Sequence, residues 1–259
     1  MKKGYVQTSQ GQVHFRRDGD QGPYLFLFHE SPLSSRQFER CLPLLGRSVR
    51  AVAFDTPGYG ASDPPTEVIA IADYAAWLFD AVNDLDDGPF AIGAVHTGAS
   101  IAVELARLAG DRVTHVVFSG LPLLTPEQRQ AFSARIEPPE VRRDGSHLKD
   151  AWDRRLAGWG EETDLETLHM ALVEMQRVYE RYDWGFRAVF GHDPQPALEA
   201  LACPVYFLNA EHDSLAGVDR KAAELVGAKV KMLAGVRGQL PWRAPEAYAK
   251  EVLAFIGAA

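Results

Sequence analysis

The sequence predicts an α/β protein built on a mostly parallel, doubly wound sheet, with a helical segment inserted in its second half. Short and almost wholly apolar runs recur along the chain, and amphipathic stretches separate them. Such runs suit strands that are buried on both faces of a parallel sheet, and the alternation places helices on both sides of it. One long charged stretch breaks this rhythm, which indicates the insertion.

The elements follow in chain order from an N-terminal hairpin. The segments "GYVQT" and "GQVHFRR" alternate in polarity and predict two antiparallel strands. The apolar runs predict six further strands, at Tyr24–Phe28, Val49–Phe54, Phe90–Ala94, Val113–Phe118, Val205–Ala210 and Lys229–Leu233. Helical periodicity is found at Tyr74–Leu85, Ser100–Leu108, Ala222–Val226 and Ala247–Phe255.

No strand candidate occurs between Leu124 and roughly Leu198, where the chain is charged and rich in Trp and Tyr. We therefore expect a core domain of residues 1–124 and 198–259 and a helical cap of residues 125–197. The carboxyl edge of an α/β sheet is where such folds bind ligands, so the cap is expected there. Some of its aromatic residues, Trp184 among them, are expected to line a pocket.

Composition excludes several classes of partner. The chain has 259 residues, 46% hydrophobic and 24% charged, and a net charge of −8 without a long basic run. Nucleic acid and anionic membranes are therefore not expected as partners. No apolar stretch predicts a signal peptide or a membrane span, and two cysteines form no disulfide framework, so a cytoplasmic location is expected. The expected partner is a small-molecule substrate; a homodimer is compatible with the sequence, which does not determine the oligomeric state.

Five segments, in this order, resemble the motifs of the α/β-hydrolase superfamily. They are "LFLFHESPLSSRQFE", "AFDTPGYGASDPP", "AIGAVHTGASIAVELA", "CPVYFLNAEHDSLAG" and "GQLPWRAPEAYAKEVLAFI". The resemblance covers nearly the whole chain. It implies the α/β-hydrolase fold, and it places Asp213 at the position of the family's catalytic acid.

Three positions depart from the family pattern. His96 stands at the apex of the G-x-S-x-G nucleophile elbow, where the family has serine, between the small residues Ala94 and Gly98. Gln239 stands where the family has its catalytic histidine, and Glu30 replaces a glycine in the oxyanion loop. The hydroxyl and the imidazole of an ordinary Ser-His-Asp triad are therefore both missing.

His96 is the candidate base or nucleophile. A helix N-terminus disfavours an imidazolium, which predicts a neutral ring that can accept a proton. The alternative is a decayed site in which histidine only fills space. Glu30 is expected to orient the imidazole or to exchange protons itself, its alternative being a solvated loop residue. Asp213 is expected to act structurally and electrostatically, either by contacting Gln239 or by capping the next helix.

Backbone donors for an oxyanion are predicted in two places. The N–H of Thr97 and that of Ser31 or Glu30 occupy the positions where this fold holds developing negative charge. Three further side chains are predicted to position the substrate: Gln239, His29 and Trp184. His29, Glu30, His96 and His212 match no compact ligand spacing, so no metal or other cofactor is expected.

The leading functional prediction is an enzyme without the ordinary triad that acts on a small, partly apolar carbonyl compound. It would hydrolyse an ester, a lactone or a C–C bond with His96 as base or nucleophile. One alternative is a cofactor-independent lyase, decarboxylase or isomerase that transfers a proton with His96 and Glu30. Another is a ligand-binding pseudoenzyme, and the fold alone does not separate the three.

Overall fold

A single sheet organises the described part of the chain. The structure is a computed structural model and describes residues 1–136 and 140–258. The strands are β1 (Lys2–Thr8), β2 (Gly11–Asp18), β3 (Tyr24–Phe28), β4 (Arg50–Phe54), β5 (Phe90–Val95), β6 (Val113–Ser119), β7 (Val205–Ala210) and β8 (Lys229–Leu233). They lie in the spatial order β1-β2-β4-β3-β5-β6-β7-β8. Strands β1 and β2 pair antiparallel, as does β2 with β4, and the remaining pairs are parallel. The predicted α/β-hydrolase fold is confirmed.

Helices cover the sheet. They are α1 (Leu42–Leu45), α2 (Ile71–Leu85), α3 (Thr97–Ala109), α4 (Pro126–Ser133), α5 (Ser146–Trp159), α6 (Leu165–Arg177), α7 (Trp184–Phe190), α8 (Gln195–Glu199), α9 (Ala216–Val226), α10 (Leu240–Arg243) and α11 (Pro245–Phe255). Short 3-10 turns lie at Ser35–Phe38, Gly110–Arg112 and Tyr179–Arg181. On one face α2, α3 and α9 contribute to a hydrophobic core, and on the other face α1 and α11 contribute to a second.

Burial explains why the central strands are apolar throughout. Every residue of β3 and of β5 is buried, because helices cover both faces of the sheet at these positions. Helix α2 instead buries Ile71, Tyr74 and Leu78, whose spacing follows the helical repeat.

The order of the strands positions the site. The chain leaves β3 to form β4 on one side and later returns to form β5 on the other side of β3. The carboxyl ends of β3 and β5 therefore flank a topological switch point, where open α/β sheets bind ligands. His29 and Glu30 follow β3, and His96 follows β5.

Within residues 125–197, the described part forms α4 to α7 and the first residues of α8, and it contains no strand. Polar contacts fix this segment to the rest of the chain. The Tyr59 hydroxyl accepts a hydrogen bond from the N–H of Gly185 at 2.7 Å, and Trp242 Nε1 donates to Thr167 Oγ1 at 3.0 Å.

All four predicted helices begin earlier than predicted. Helix α2 begins at Ile71 rather than Tyr74, and α11 begins at Pro245 rather than Ala247. Helix α3 begins at Thr97 rather than Ser100, because it starts directly at the strand–helix turn. Helix α9 begins at Ala216 rather than Ala222. Its first turn contains Asp219, which is fully buried although its charge suggests an exposed position.

Candidate active site

A strained turn carries His96. Strand β5 ends at Val95 and α3 begins at Thr97, which leaves His96 between them with φ 47° and ψ −112°. A positive φ is costly for a residue with a side chain and is typical of functional turns. Gly98 makes the turn possible, because a Cβ there would overlap the carbonyl oxygen of Phe28. The predicted position of His96, at a strand–helix junction facing a cavity, agrees with this geometry.

Two carboxylates hold the His96 ring. Its Nε2 lies 3.0 Å from Asp213 Oδ2 and 3.1 Å from Oδ1, while its Nδ1 lies 3.4 Å from Glu30 Oε2. Asp213 follows β7 and also accepts the backbone N–H of Leu215 at 2.8 Å. Both ring nitrogens therefore face acceptors, an arrangement that suits an imidazolium donating at each end.

Charge dominates the protonation of His96. Burial lowers the pKa of the imidazole, but the attraction and hydrogen bond of Asp213, together with the charge of Glu30, raise it to about 10. A neutral ring was expected from the helix N-terminus, whose effect is typically below about 1 kcal/mol. That expectation is wrong because two carboxylates in contact outweigh the helix dipole. Burial likewise favours protonated Asp213, yet the charge of His96 brings the pKa of that carboxyl below its ordinary value.

Gln239 contacts Glu30 rather than Asp213. It occupies the turn between β8 and α10 in a left-handed conformation, with φ 50°, and its Nε2 donates to Glu30 Oε1. Its Oε1 is buried and has no hydrogen-bond partner within residues 1–136 and 140–258. Asp213 is thus engaged by His96, while Gln239 fixes the second carboxylate.

The predicted oxyanion donors lie on both sides of this cluster. As the first helical residue, Thr97 has a backbone N–H without an intrahelical acceptor. In the loop after β3, the N–H of Glu30 donates to Gln37 Oε1 at 3.1 Å. Ser31 is therefore the loop residue whose N–H can serve a ligand. Both Thr97 and Ser31 line a cavity that reaches His96.

His29 has a different environment from the one predicted. It is fully buried, its Nδ1 lies 2.8 Å from the Glu30 carbonyl oxygen, and its Nε2 accepts the N–H of Thr56 at 2.9 Å. Burial lowers its pKa, in keeping with a neutral ring that braces the loop. Because both nitrogens are engaged within the protein, His29 has no group left for a substrate.

Two cavities meet at His96. The larger, of about 450 Å³, is lined by Glu30, Ser31, His96, Arg155, Gly158, Trp159, Phe186, His212, Asp213, Ser214, Arg237, Gly238 and Gln239. The smaller, of about 170 Å³, is lined by Ser31, His96, Thr97, Pro122, Leu124, Phe132, Phe186, Val189, Phe190, Ser214 and Leu215. Trp184, predicted to position the substrate, is absent from both walls. The Phe and Trp side chains there are Trp159 and Phe186 in the larger cavity, and Phe132, Phe186 and Phe190 in the smaller.

Gly120 was missed by sequence reasoning. It follows β6 with φ +81°, and a Cβ at this position would lie 2.6 Å from His96 Nε2. The glycine therefore provides the space that an imidazole at the elbow requires.

The backbone N–H groups of Gly120 and Leu121 donate to the buried Asp219 carboxylate at 2.7 and 2.8 Å, and burial raises the pKa of Asp219 to about 7. The sequence signal that could have identified Gly120 is its position, as a glycine directly after a predicted buried strand.

Two further properties concern the described residues, 1–136 and 140–258. They contain no group of three or more His, Cys, Asp or Glu side chains arranged to hold a metal ion. None of their helices combines the length and the apolar character that a membrane crossing requires.

The sheet, the strained turn after β5 and the cavity at the switch point define an α/β-hydrolase architecture. The model of the alpha/beta hydrolase family matches residues 25–251, and the chain belongs to this family.

Solved structures agree with this assignment. The chain is similar to a hydrolase from Pseudomonas aeruginosa PA01, with 19% identity and a TM-score of 0.81 over 99% of this chain and 98% of that chain. It is similar to the enol-lactonase from Burkholderia xenovorans LB400, with 19% identity and a TM-score of 0.77 over 98% and 100%. It is also similar to epoxide hydrolase A from Mycobacterium thermoresistibile, with 18% identity and a TM-score of 0.76 over 98% of this chain and 97% of that chain. At such identities the likeness shows the fold.

Proposed function

We propose that this protein is a hydrolase of small, partly apolar carbonyl compounds, such as esters or lactones, that works without an acyl-serine intermediate. His96 and Glu30 act as an acid–base pair, and Asp213 keeps the imidazole charged and oriented. The observation that carries the proposal is the placement of His96 between the two carboxylates, in the wall of both cavities.

In the first step, the substrate carbonyl oxygen accepts hydrogen bonds from the N–H groups of Thr97 and Ser31. Glu30 takes a proton from a water molecule, and the resulting hydroxide attacks the carbonyl carbon. The negative charge of the tetrahedral intermediate is stabilised by the two backbone donors, as in other oxyanion holes.

In the second step, the intermediate expels the alkoxide leaving group, which takes the Nδ1 proton of His96. The other proton stays on Nε2, which donates it to Asp213 at 3.0 Å, a shorter contact than the 3.4 Å between Nδ1 and Glu30. Protonated Glu30 then returns its proton to Nδ1 across the 3.4 Å that separates them. One water is consumed, an acid and an alcohol are released, and both side chains regain their initial states.

This role revises the prediction that His96 is a base or nucleophile. An imidazolium has no free lone pair, so a ring whose pKa is raised to about 10 acts as an acid at neutral pH. Asp213 and Gln239 are positioning residues in this scheme, because each contacts a member of the pair.

The test is a screen of small esters and lactones, followed by kinetics of His96→Gln and Glu30→Gln. Each variant should lose about 10²–10⁴-fold in kcat with a smaller change in KM, the range typical of general acid–base groups. Glu224→Gln, at an exposed position of α9, is the matched control and should retain activity. The kcat/KM of the wild type should fall as pH approaches 10; a rate that rises over that range would mean that neutral His96 is the active form.

The same pair also supports a second candidate, a cofactor-independent lyase, decarboxylase or isomerase. A carboxylate and an imidazolium in contact are suited to moving a proton next to a carbonyl group. Wild-type protein that accelerates the exchange of the α-hydrogens of a β-dicarbonyl compound with D₂O above the rate in buffer alone, but hydrolyses no ester, would favour this reaction. Binding without any turnover would favour a receptor.

A further inference from the structure

Two arginines line the larger cavity together with Glu30 and Asp213. Arg155 belongs to α5 in the inserted segment, and Arg237 lies in the loop after β8. The proposed reaction assigns neither of them a role. Their charges are opposite to those of Glu30 and Asp213, which line the same cavity.

The two guanidinium groups differ in their partners. Arg237 forms an ion pair with Glu162, so its charge is already compensated. The ion pairs found within residues 1–136 and 140–258 do not include Arg155. Its Nε lies 3.0 Å from Met175 Sδ, a weak acceptor, and its guanidinium carbon lies 4.9 Å from the centre of the Trp159 ring.

Arg155 is therefore a half-buried cation, stacked on an aromatic ring, whose terminal nitrogens have no carboxylate partner in the part of the chain described. Burial of an uncompensated charge is costly. A planar guanidinium is also the group best suited to binding a carboxylate with two parallel hydrogen bonds.

We propose that Arg155 forms a carboxylate-binding subsite, and that the substrate is a carbonyl compound with a carboxylate at one end and an apolar arm. This inference rests on the proposed function for the position of the reacting carbonyl at His96. A substrate carboxylate is attracted to Arg155 and repelled by Glu30 and Asp213. These opposed forces orient the molecule with its carboxylate toward the inserted segment.

The smaller cavity accommodates the apolar arm. His96 is part of its wall, and the remainder is largely apolar, formed by Pro122, Leu124, Phe132, Phe186, Val189, Phe190 and Leu215. Its volume of about 170 Å³ suits a short alkyl chain or a single ring. Charge at one end and apolar burial at the other then place the carbonyl between them, beside His96.

A binding experiment tests the subsite without requiring catalysis. Calorimetry would compare 4-phenylbutyrate with its neutral amide, 4-phenylbutyramide, on the wild type. The acid should bind roughly 10- to 100-fold more tightly, as expected for hydrogen bonds between charged groups. Arg155→Gln should lose that preference while its affinity for the amide stays unchanged.

Two variants make the result specific. Arg154→Gln removes the same charge from the neighbouring exposed position of α5, which is not part of this cavity wall, and should keep the preference. Arg155→Lys keeps the positive charge but not the forked pair of donors, and it should keep part of the preference for the acid. This variant guards against a loss caused by misfolding. Equal affinity for acid and amide in the wild type, or an unchanged preference in Arg155→Gln, would overturn the subsite.

A kinetic comparison separates this inference from the proposed hydrolysis. Monomethyl glutarate should be hydrolysed with a kcat/KM roughly 10- to 100-fold above that of dimethyl glutarate, and Arg155→Gln should equalise the two. Turnover of both esters at equal rates would refute the subsite and leave the hydrolase intact. An Arg155-dependent preference for acid binding without turnover of either ester would refute the hydrolase and leave the subsite intact.

Discussion

The protonation of His96 can be measured through protein stability, before any substrate is known. In an unfolded chain the imidazole titrates near pH 6.5. In the folded protein burial opposes the charged form, but Asp213 and Glu30 raise the pKa to about 10. The stability contributed by this proton is fully present below about pH 6.5, and it is lost as pH rises through the folded pKa, because only the folded state binds the proton between these limits.

The size of the effect follows from the difference of one bound proton. Between the two pKa values the free energy of unfolding falls by about 1.4 kcal/mol per pH unit. From pH 8.0 to pH 9.5 the loss is therefore about 2 kcal/mol. The His96 side chain is only 22% exposed, so solvent screens the pair weakly. This window lies above the pKa of about 7 for Asp219, a nearby buried carboxyl whose pKa is also raised.

The assay is urea denaturation of the wild type and of His96→Gln at both pH values. Groups unrelated to His96 titrate alike in the two proteins, so the difference between their unfolding free energies should shrink by about 2 kcal/mol at the higher pH. A difference that stays within about 0.5 kcal/mol would show that His96 is already neutral at pH 8.0. The acid role proposed for it would then be refuted.

Two other predictions concern the elbow. Gly120→Ala should destabilise the protein by about 2–3 kcal/mol, because the new Cβ meets the His96 ring at a positive φ, and only roughly 1 kcal/mol of this cost should remain in a His96→Ala background. Urea denaturation of the wild type, the two single variants and the double variant checks this, and an equal cost in both backgrounds would contradict the contact. A fluorophosphonate probe should not label the turn that carries His96, because no serine lies at its apex; intact-protein mass spectrometry checks this, and a stoichiometric serine adduct would restore the acyl-serine mechanism.

Much of the fold could be predicted because buried strands leave a local signal. The bounds of β3 and β7 agree with the predicted runs to the residue, since parallel strands covered on both faces are almost wholly apolar. The bounds of β8 agree as well, although this edge strand is largely exposed and contains two lysines. Helix starts were harder to place. The buried Asp219 in the first turn of α9 contradicts the usual periodicity, because its carboxylate accepts the backbone N–H groups of a neighbouring loop.

The candidate site was only partly predictable, for a related reason. His96, Glu30 and Asp213 could be identified because each lies in a segment with a recognisable motif. Their mutual contacts depend on distances between loops far apart in sequence. A contact between Gln239 and Asp213 was one of the two roles predicted for Asp213, the other being to cap the next helix, whereas Gln239 contacts Glu30. The aromatic residues at the cavity could not be chosen either, because the rotation of each helix in the inserted segment decides which side chains face it.

The contacts suggest why these substitutions occur together. An imidazole reaches Asp213 from the elbow, and Gly120 leaves it the room to do so. No second imidazole is then needed in the turn before α10, so Gln239 can occupy that turn and hold Glu30. Glu30 in turn supplies the carboxylate that His96 Nδ1 faces. Each change thus provides a partner or a space for another. Restoring serine at position 96 alone should consequently produce no hydrolase, because Gln239 cannot accept the proton of its hydroxyl. Kinetics of His96→Ser with the esters that the wild type hydrolyses would decide this, and recovered activity would show that another group in the cavity serves as the base.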